Sequence, residues 1–86
     1  MKIKYSKDSL KFLSKLDKKS VDRIRSAIYG VTKIPPEGDI KPMKGYSDGR
    51  QRLRVGSWRV IYKYGMDNEI EVLCVIDIGN RGDVYK

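Results

Sequence analysis

The stretch Arg50–Tyr64, RQRLRVGSWRVIYKY, constrains this chain more than any other. Gln51–Val55 alternates polar and apolar residues with the period of a half-buried strand. Trp58–Tyr64 is rich in aromatic and β-branched residues, which suit a pleated sheet. Gly56-Ser57 between them fits a two-residue type II′ turn, whose first central position needs positive φ. That turn dictates the register: Val55 opposes Trp58, Arg54 opposes Arg59, Leu53 opposes Val60 and Arg52 opposes Ile61. Leu53, Val55, Trp58, Val60 and Tyr62 then share the face expected in the core. Arg50, Arg52, Arg54, Arg59 and Lys63 share the other, expected in solvent. Arg54 across from Arg59 is a repulsive pair, unfavourable by roughly a few tenths of a kcal/mol. No acidic residue occurs between Arg50 and Tyr64. Carboxylates to pair these arginines are therefore not expected, and such a face suits a polyanion.

The 86 residues are expected to form one small domain, 1–86, with a modest core. The net charge of +8 is unevenly spread. Residues 1–40 carry +5, residues 41–63 carry +6 and residues 64–86 carry −3. The hairpin segment is thus the electropositive feature, and Arg81 stands out in an acidic tail. A basic excess of this kind points to nucleic acid. A membrane partner is not expected, because no amphipathic basic helix dominates and the apolar run Val72–Ile76 is too short to span a bilayer. Cys74, the single cysteine, rules out a disulfide within the chain and reads as a buried small hydrophobe. With no apolar segment at Met1-Lys-Ile-Lys, the expected location is cytoplasmic. The absence of histidine removes the commonest general base and the commonest metal ligand.

In chain order, Lys2–Tyr5 alternates around Ile3 and Tyr5 as a short strand. Ser6 is a good N-cap for a helix over roughly Lys7–Leu16, with Asp8 in its first turn and Leu10, Leu13 and Leu16 at spacing three. Asp17 can cap a second helix, marked by Val21, Ile24, Ile28 and Val31, that ends near Thr32 or Lys33 before Pro35-Pro36. A loop, Ile34–Asp39, and a turn-rich lead over Lys41–Gly49 precede the hairpin. Gly65–Asn68 is expected as a turn, Ile70–Ile78 as a long central strand, and Gly79-Asn80 as its break. A short tail or last strand follows. The order predicts an α+β domain: an N-terminal strand and a helical hairpin packed on one face of a mainly antiparallel sheet.

Neither histidine-dependent nucleophile chemistry nor a metal cage is patterned here, and Glu69 and Glu71 read as solvent-facing. No cofactor or metal is expected. What remains is an arginine constellation. Arg52, Arg54 and Arg59 share one hairpin face. Arg81 follows the long strand, and Tyr85 comes four residues later. If the tail folds back along the sheet, these five can hold a phosphate between guanidinium forks and stack a base. Arg50, Lys41, Lys44 and Lys63 complete the set as RNA-binding candidates.

The stretches PMKGYSDGRQRLRVGSWRVIYKY and VIDIGNRGDVYK resemble the RelE/ParE superfamily of type II toxin–antitoxin toxins, and within it the RelE branch. The resemblance covers essentially the whole chain. It implies the RelE-like toxin fold and a ribosome-dependent mRNA endoribonuclease. Such an enzyme cuts mRNA in the ribosomal A site by attack of the RNA 2′-hydroxyl, needs no metal, and is silenced by a cognate antitoxin. The family's basic strand pair falls on Arg52 and Arg54, and its aromatic-Arg-x-x-Tyr arginine on Arg59. Its late arginine falls on Arg81 in GNR, and its late tyrosine on Tyr85 in DVY. In this resemblance Arg59 binds the scissile phosphate, Arg81 acts on the leaving oxygen, and Tyr85 stacks on a base. The RelE branch carries lysines in the basic pair, where this chain has arginines, which are too weakly acidic to trade protons near neutral pH. Either electrostatic stabilisation then carries the rate, or Lys41 or Lys44 reaches in. The alternative on the same fold is a ParE-like inhibitor of DNA gyrase, and a third reading is an RNA-binding module without chemistry.

Overall fold

The computed structural model describes residues 1–80, and Arg81 and Tyr85 lie outside the described residues. Strand β1 (Lys2–Tyr5) leads into helices α1 (Lys7–Leu13) and α2 (Lys18–Val31), followed by β2 (Asp39–Pro42), β3 (Gln51–Val55), β4 (Trp58–Asp67) and β5 (Ile70–Asn80). Among the described residues, the five strands form one sheet in the order β1-β5-β4-β3-β2. All neighbours are antiparallel except β1, which lies parallel to β5. The α+β architecture expected from the sequence is the one observed.

The hairpin register is the one dictated by the turn, with Val55 on Trp58, Arg54 on Arg59, Leu53 on Val60 and Arg52 on Ile61. Gly56 has φ of 60°, the left-handed value that its turn position requires and that glycine adopts without steric cost. On the helix side of the sheet, Leu53, Val55, Val60, Tyr62, Leu73, Val75 and Ile78 meet Leu13, Ile24, Ile28 and Val31. A β-bulge on β5 keeps Leu73 and Val75 before it and Ile78 after it on the core side: Tyr62 opposes Val75 while Ile61 opposes Asp77, so Ile76 is the extra residue.

The helices follow from their caps and periodicity. Ser6 Oγ accepts from the Ser9 backbone N–H at 3.1 Å and donates to the Ile76 carbonyl at 2.6 Å, tying the start of α1 to the sheet. Leu10 is exposed; the inward slot one residue earlier is taken by fully buried Ser9, whose hydroxyl is hydrogen-bonded to Ser6 at 2.8 Å.

Four expectations are corrected. Asp39–Pro42 forms an edge strand, not a loop; Pro42 is tolerated because it is the last residue of an edge strand. Strand β4 continues through Gly65 to Asp67, and the turn is carried by Asn68 in the left-handed conformation, φ 59°. Gly79 and Asn80 do not break β5 but pair with Arg59 and Trp58. Cys74 is only partly buried, because it lies beside Lys63 on the sheet face away from the helices.

Candidate functional site

The face of the sheet opposite the helices is a grid set by strand register. Asp39, Arg54, Arg59 and Gly79 stand opposite one another in one row across β2, β3, β4 and β5. Lys41, Arg52, Ile61 and Asp77 form the next row, two residues along each strand and roughly 6–7 Å away. Because side chains alternate along a strand, Leu53 and Val55 in the core require Arg52 and Arg54 on this side.

Two features depart from the sequence reading. Arg52 is buried, 3% exposed, where a solvent-facing residue was expected. It occupies the middle of the row beside buried Ile61. Nor do the arginines lack carboxylates. Arg52 Nη1 donates to the Asp39 backbone oxygen at 3.3 Å and to its carboxylate at 3.4 Å. The other Asp39 oxygen lies 3.8 Å from Arg54 Nε. Asp39 therefore offsets two guanidinium charges at once, on the side of Arg54 away from Arg59. Asp39 falls in a segment whose proline and glycine content predicts a loop; the alternation in Asp39-Ile-Lys-Pro42 is the signal of its strand.

At the other end of β3, Arg50 donates from Nη2 to Asp48 at 2.8 Å and from Nε at 3.1 Å, and Lys63 Nζ lies 3.5 Å from the same carboxylate. The Arg50 hydrogen bond holds the Asp48 carboxyl far below the ordinary carboxylate range, and Asp48 in turn raises Arg50. The Arg50 guanidinium lies 4.2 Å from the centre of the Tyr46 ring. Of the remaining candidates, Lys41 is exposed on β2 opposite Arg52, and Lys44 is exposed in the loop beyond it. The structure thus brings Arg50, Arg52, Arg54, Arg59, Lys41 and Lys63 onto one face or its rim. Fixed guanidinium groups on adjacent strands suit phosphate recognition, which rewards planar donors held in place.

A groove of about 420 Å³ lies elsewhere, between α2 and β3, lined by Arg23, Ala27, Gly30, Glu37, Leu53 and Val55 among others. Among the described residues no group of His, Cys, Asp and Glu is placed to hold a metal ion. No helix there is long and apolar enough to cross a membrane.

The family model for the ParE toxin of type II toxin–antitoxin systems matches residues 3–85. The chain belongs to that family. It is a toxin of the RelE/ParE superfamily, and its fold is shared by solved relatives. The YoeB/ParE toxin from Agrobacterium tumefaciens is 23% identical with a TM-score of 0.75, the match covering 94% of this chain and 99% of that one. RelE in the RelE–RelB complex from the archaeon Pyrococcus horikoshii is 26% identical with a TM-score of 0.73, covering 95% and 96%. The isolated RelE toxin of E. coli is 24% identical with a TM-score of 0.65, covering 98% of this chain and 89% of that one. No curated protein sequence matches this toxin.

Proposed function

We propose that this toxin is a ribosome-dependent mRNA endoribonuclease restrained by a cognate antitoxin. One observation carries the reading: Arg54 stands directly opposite Arg59 on neighbouring strands of the sheet face that the helices leave open. Like charges at that spacing oppose folding slightly, and a phosphodiester bridging them converts repulsion into two charge-assisted contacts. In the proposed reaction the RNA 2′-hydroxyl loses its proton and its oxygen bonds to the adjacent phosphorus. The proton passes to water, the bond to the 5′-oxygen breaks and that oxygen takes up a proton from water, leaving a 2′,3′-cyclic phosphate and a 5′-hydroxyl. Arg59 binds the scissile phosphate, and Arg54 and Arg52 neutralise charge building on its oxygens. Arg81 stabilises the leaving oxygen and Tyr85 stacks on a base. The ribosome supplies substrate orientation that the toxin's own residues do not. Lys41, Lys63 and Lys44 meet flanking phosphates.

The partner is an antitoxin with an acidic or amphipathic segment that covers the basic face or displaces the tail. Support comes from the P. horikoshii relative, whose structure is a RelE–RelB complex. Complementary charge would speed such association.

The family description names ParE, which favours a second reading: non-enzymatic inhibition of DNA gyrase. Mapping mRNA 5′ ends after induction separates the two. Cuts confined to translated regions, and cleavage in vitro only on programmed ribosomes, support the nuclease. DNA damage with intact mRNA supports gyrase.

A further inference from the structure

We propose that Tyr46 is a stacking platform for a nucleobase of single-stranded RNA, placed at one end of the arginine face. This deepens the nuclease reading and rests on it for where the RNA backbone runs. Tyr46 sits in the loop between β2 and β3 and is 50% exposed. An exposed tyrosine alone is unremarkable in a protein surface. This one is built into place. The Arg50 guanidinium covers one side of the ring at 4.2 Å. That guanidinium is held by two nitrogens on Asp48, at 3.1 and 2.8 Å. Asp48 is tied in turn to Lys63 of β4 at 3.5 Å. The Met43 N–H donates to the Arg50 carbonyl at 3.2 Å, extending the β2–β3 ladder into the loop.

The arrangement has three consequences. The ring is oriented before any ligand arrives, so stacking costs little conformational entropy. A base on its open side completes a base–phenol–guanidinium stack, in which the cation also attracts the ring's π-electrons. The Asp48 carboxylate is engaged by two cations, so it does not repel an incoming phosphate. Arg50 is four residues from Arg54 along an extended chain, about 13 Å. The platform therefore serves a nucleotide flanking the scissile one. Stacking of this kind tolerates any base, because every base has a π-face.

The test uses ribosomes programmed with mRNA that carries 2′-deoxy sugars through the A-site codon, so that binding is read without cleavage. Wild type, Tyr46→Phe and Tyr46→Ala are compared, with melting temperatures confirming that all fold alike. The expected result is Tyr46→Phe within about twofold of wild type and Tyr46→Ala weaker on the order of tenfold. A second arm removes single bases from the mRNA around the codon. If the base is the mRNA's, one abasic position weakens wild type by the same factor and leaves Tyr46→Ala unaffected. If every abasic position leaves the Tyr46→Ala deficit unchanged, Tyr46 stacks on no base flanking the scissile nucleotide, and the proposal is overturned. Wild-type binding by Tyr46→Ala, or equal losses for Phe and Ala, overturns the proposal. The pattern without cleavage of ordinary mRNA would sink the nuclease and spare the platform. Failure of wild type to bind programmed ribosomes would sink both.

Discussion

Arg52 reaches Asp39 through a single guanidinium nitrogen, Nη1, which lies 3.3 Å from the Asp39 carbonyl and 3.4 Å from its carboxylate, while Arg52 itself is almost wholly buried. A buried cation depends on its counter-charge more than an exposed one does. Asp39 is half exposed, so solvent screens part of the interaction. Asp39→Asn is expected to lower stability by about 1–2 kcal/mol. In an Arg52→Met background the same change is expected to cost nearly nothing. Urea midpoints at constant slope read the cycle. Equal losses in both backgrounds would show that Asp39 acts independently of Arg52.

Leu53 and Arg54 are adjacent in sequence and face opposite sides of the sheet. Leu53 is 1% exposed in the core, so Leu53→Ala is expected to cost roughly 2–5 kcal/mol. Arg54→Ala removes the repulsion with Arg59 along with the long contact to Asp39, so its stability should stay within about 0.5 kcal/mol of wild type. Growth arrest on induction should nevertheless be lost with Arg54→Ala. Denaturation curves and a growth assay on the same two variants check this, and equal midpoints would reverse the hairpin faces.

Asp48 has its folded pKa depressed below the ordinary 3.8 by the Arg50 hydrogen bond. A depressed carboxylate stabilises the fold fully above its unfolded value and loses that contribution as pH falls through the folded one. The melting-temperature difference between wild type and Asp48→Asn should therefore be flat above about pH 5 and shrink below the ordinary value of 3.8. It should also shrink in 1 M salt, because the pair is at the surface. A difference that grew on acidification would assign the carboxylate the opposite sign.

Arg81 is the one basic residue between Tyr64 and Tyr85. Arg81→Ala is expected to lower single-turnover cleavage of ribosome-bound mRNA by a factor on the order of 10²–10³. Binding should fall only slightly, as one phosphate contact among many. If cleavage falls no more than binding, Arg81 is a contact to RNA and not a catalytic residue.

The hairpin, both helices and the side of the sheet they cover were legible in the sequence. Each rests on local rules: a turn that needs glycine at Gly56, apolar alternation along Gln51–Val55, and the Ile24, Ile28, Val31 periodicity of α2. The strand β2 was obscured because four residues ending in Pro42 carry too little pattern to outweigh the surrounding turn signals. Gly79-Asn80 misled for a related reason: glycine marks breaks on average, yet here it lies opposite the long side chain of Arg59.

Sequence alone determined that Arg52, Arg54 and Arg59 share a face, because alternation and turn geometry act within a few residues. Tertiary structure alone decided which charges meet there. Asp39 pairs with Arg52 thirteen residues away, and only because the β2 edge docks on β3 in one register. The burial of Arg52 likewise needs β2 on one side and β4 on the other. Charge pairing and desolvation depend on distances across strands, and those are set by packing rather than by any local run of residues.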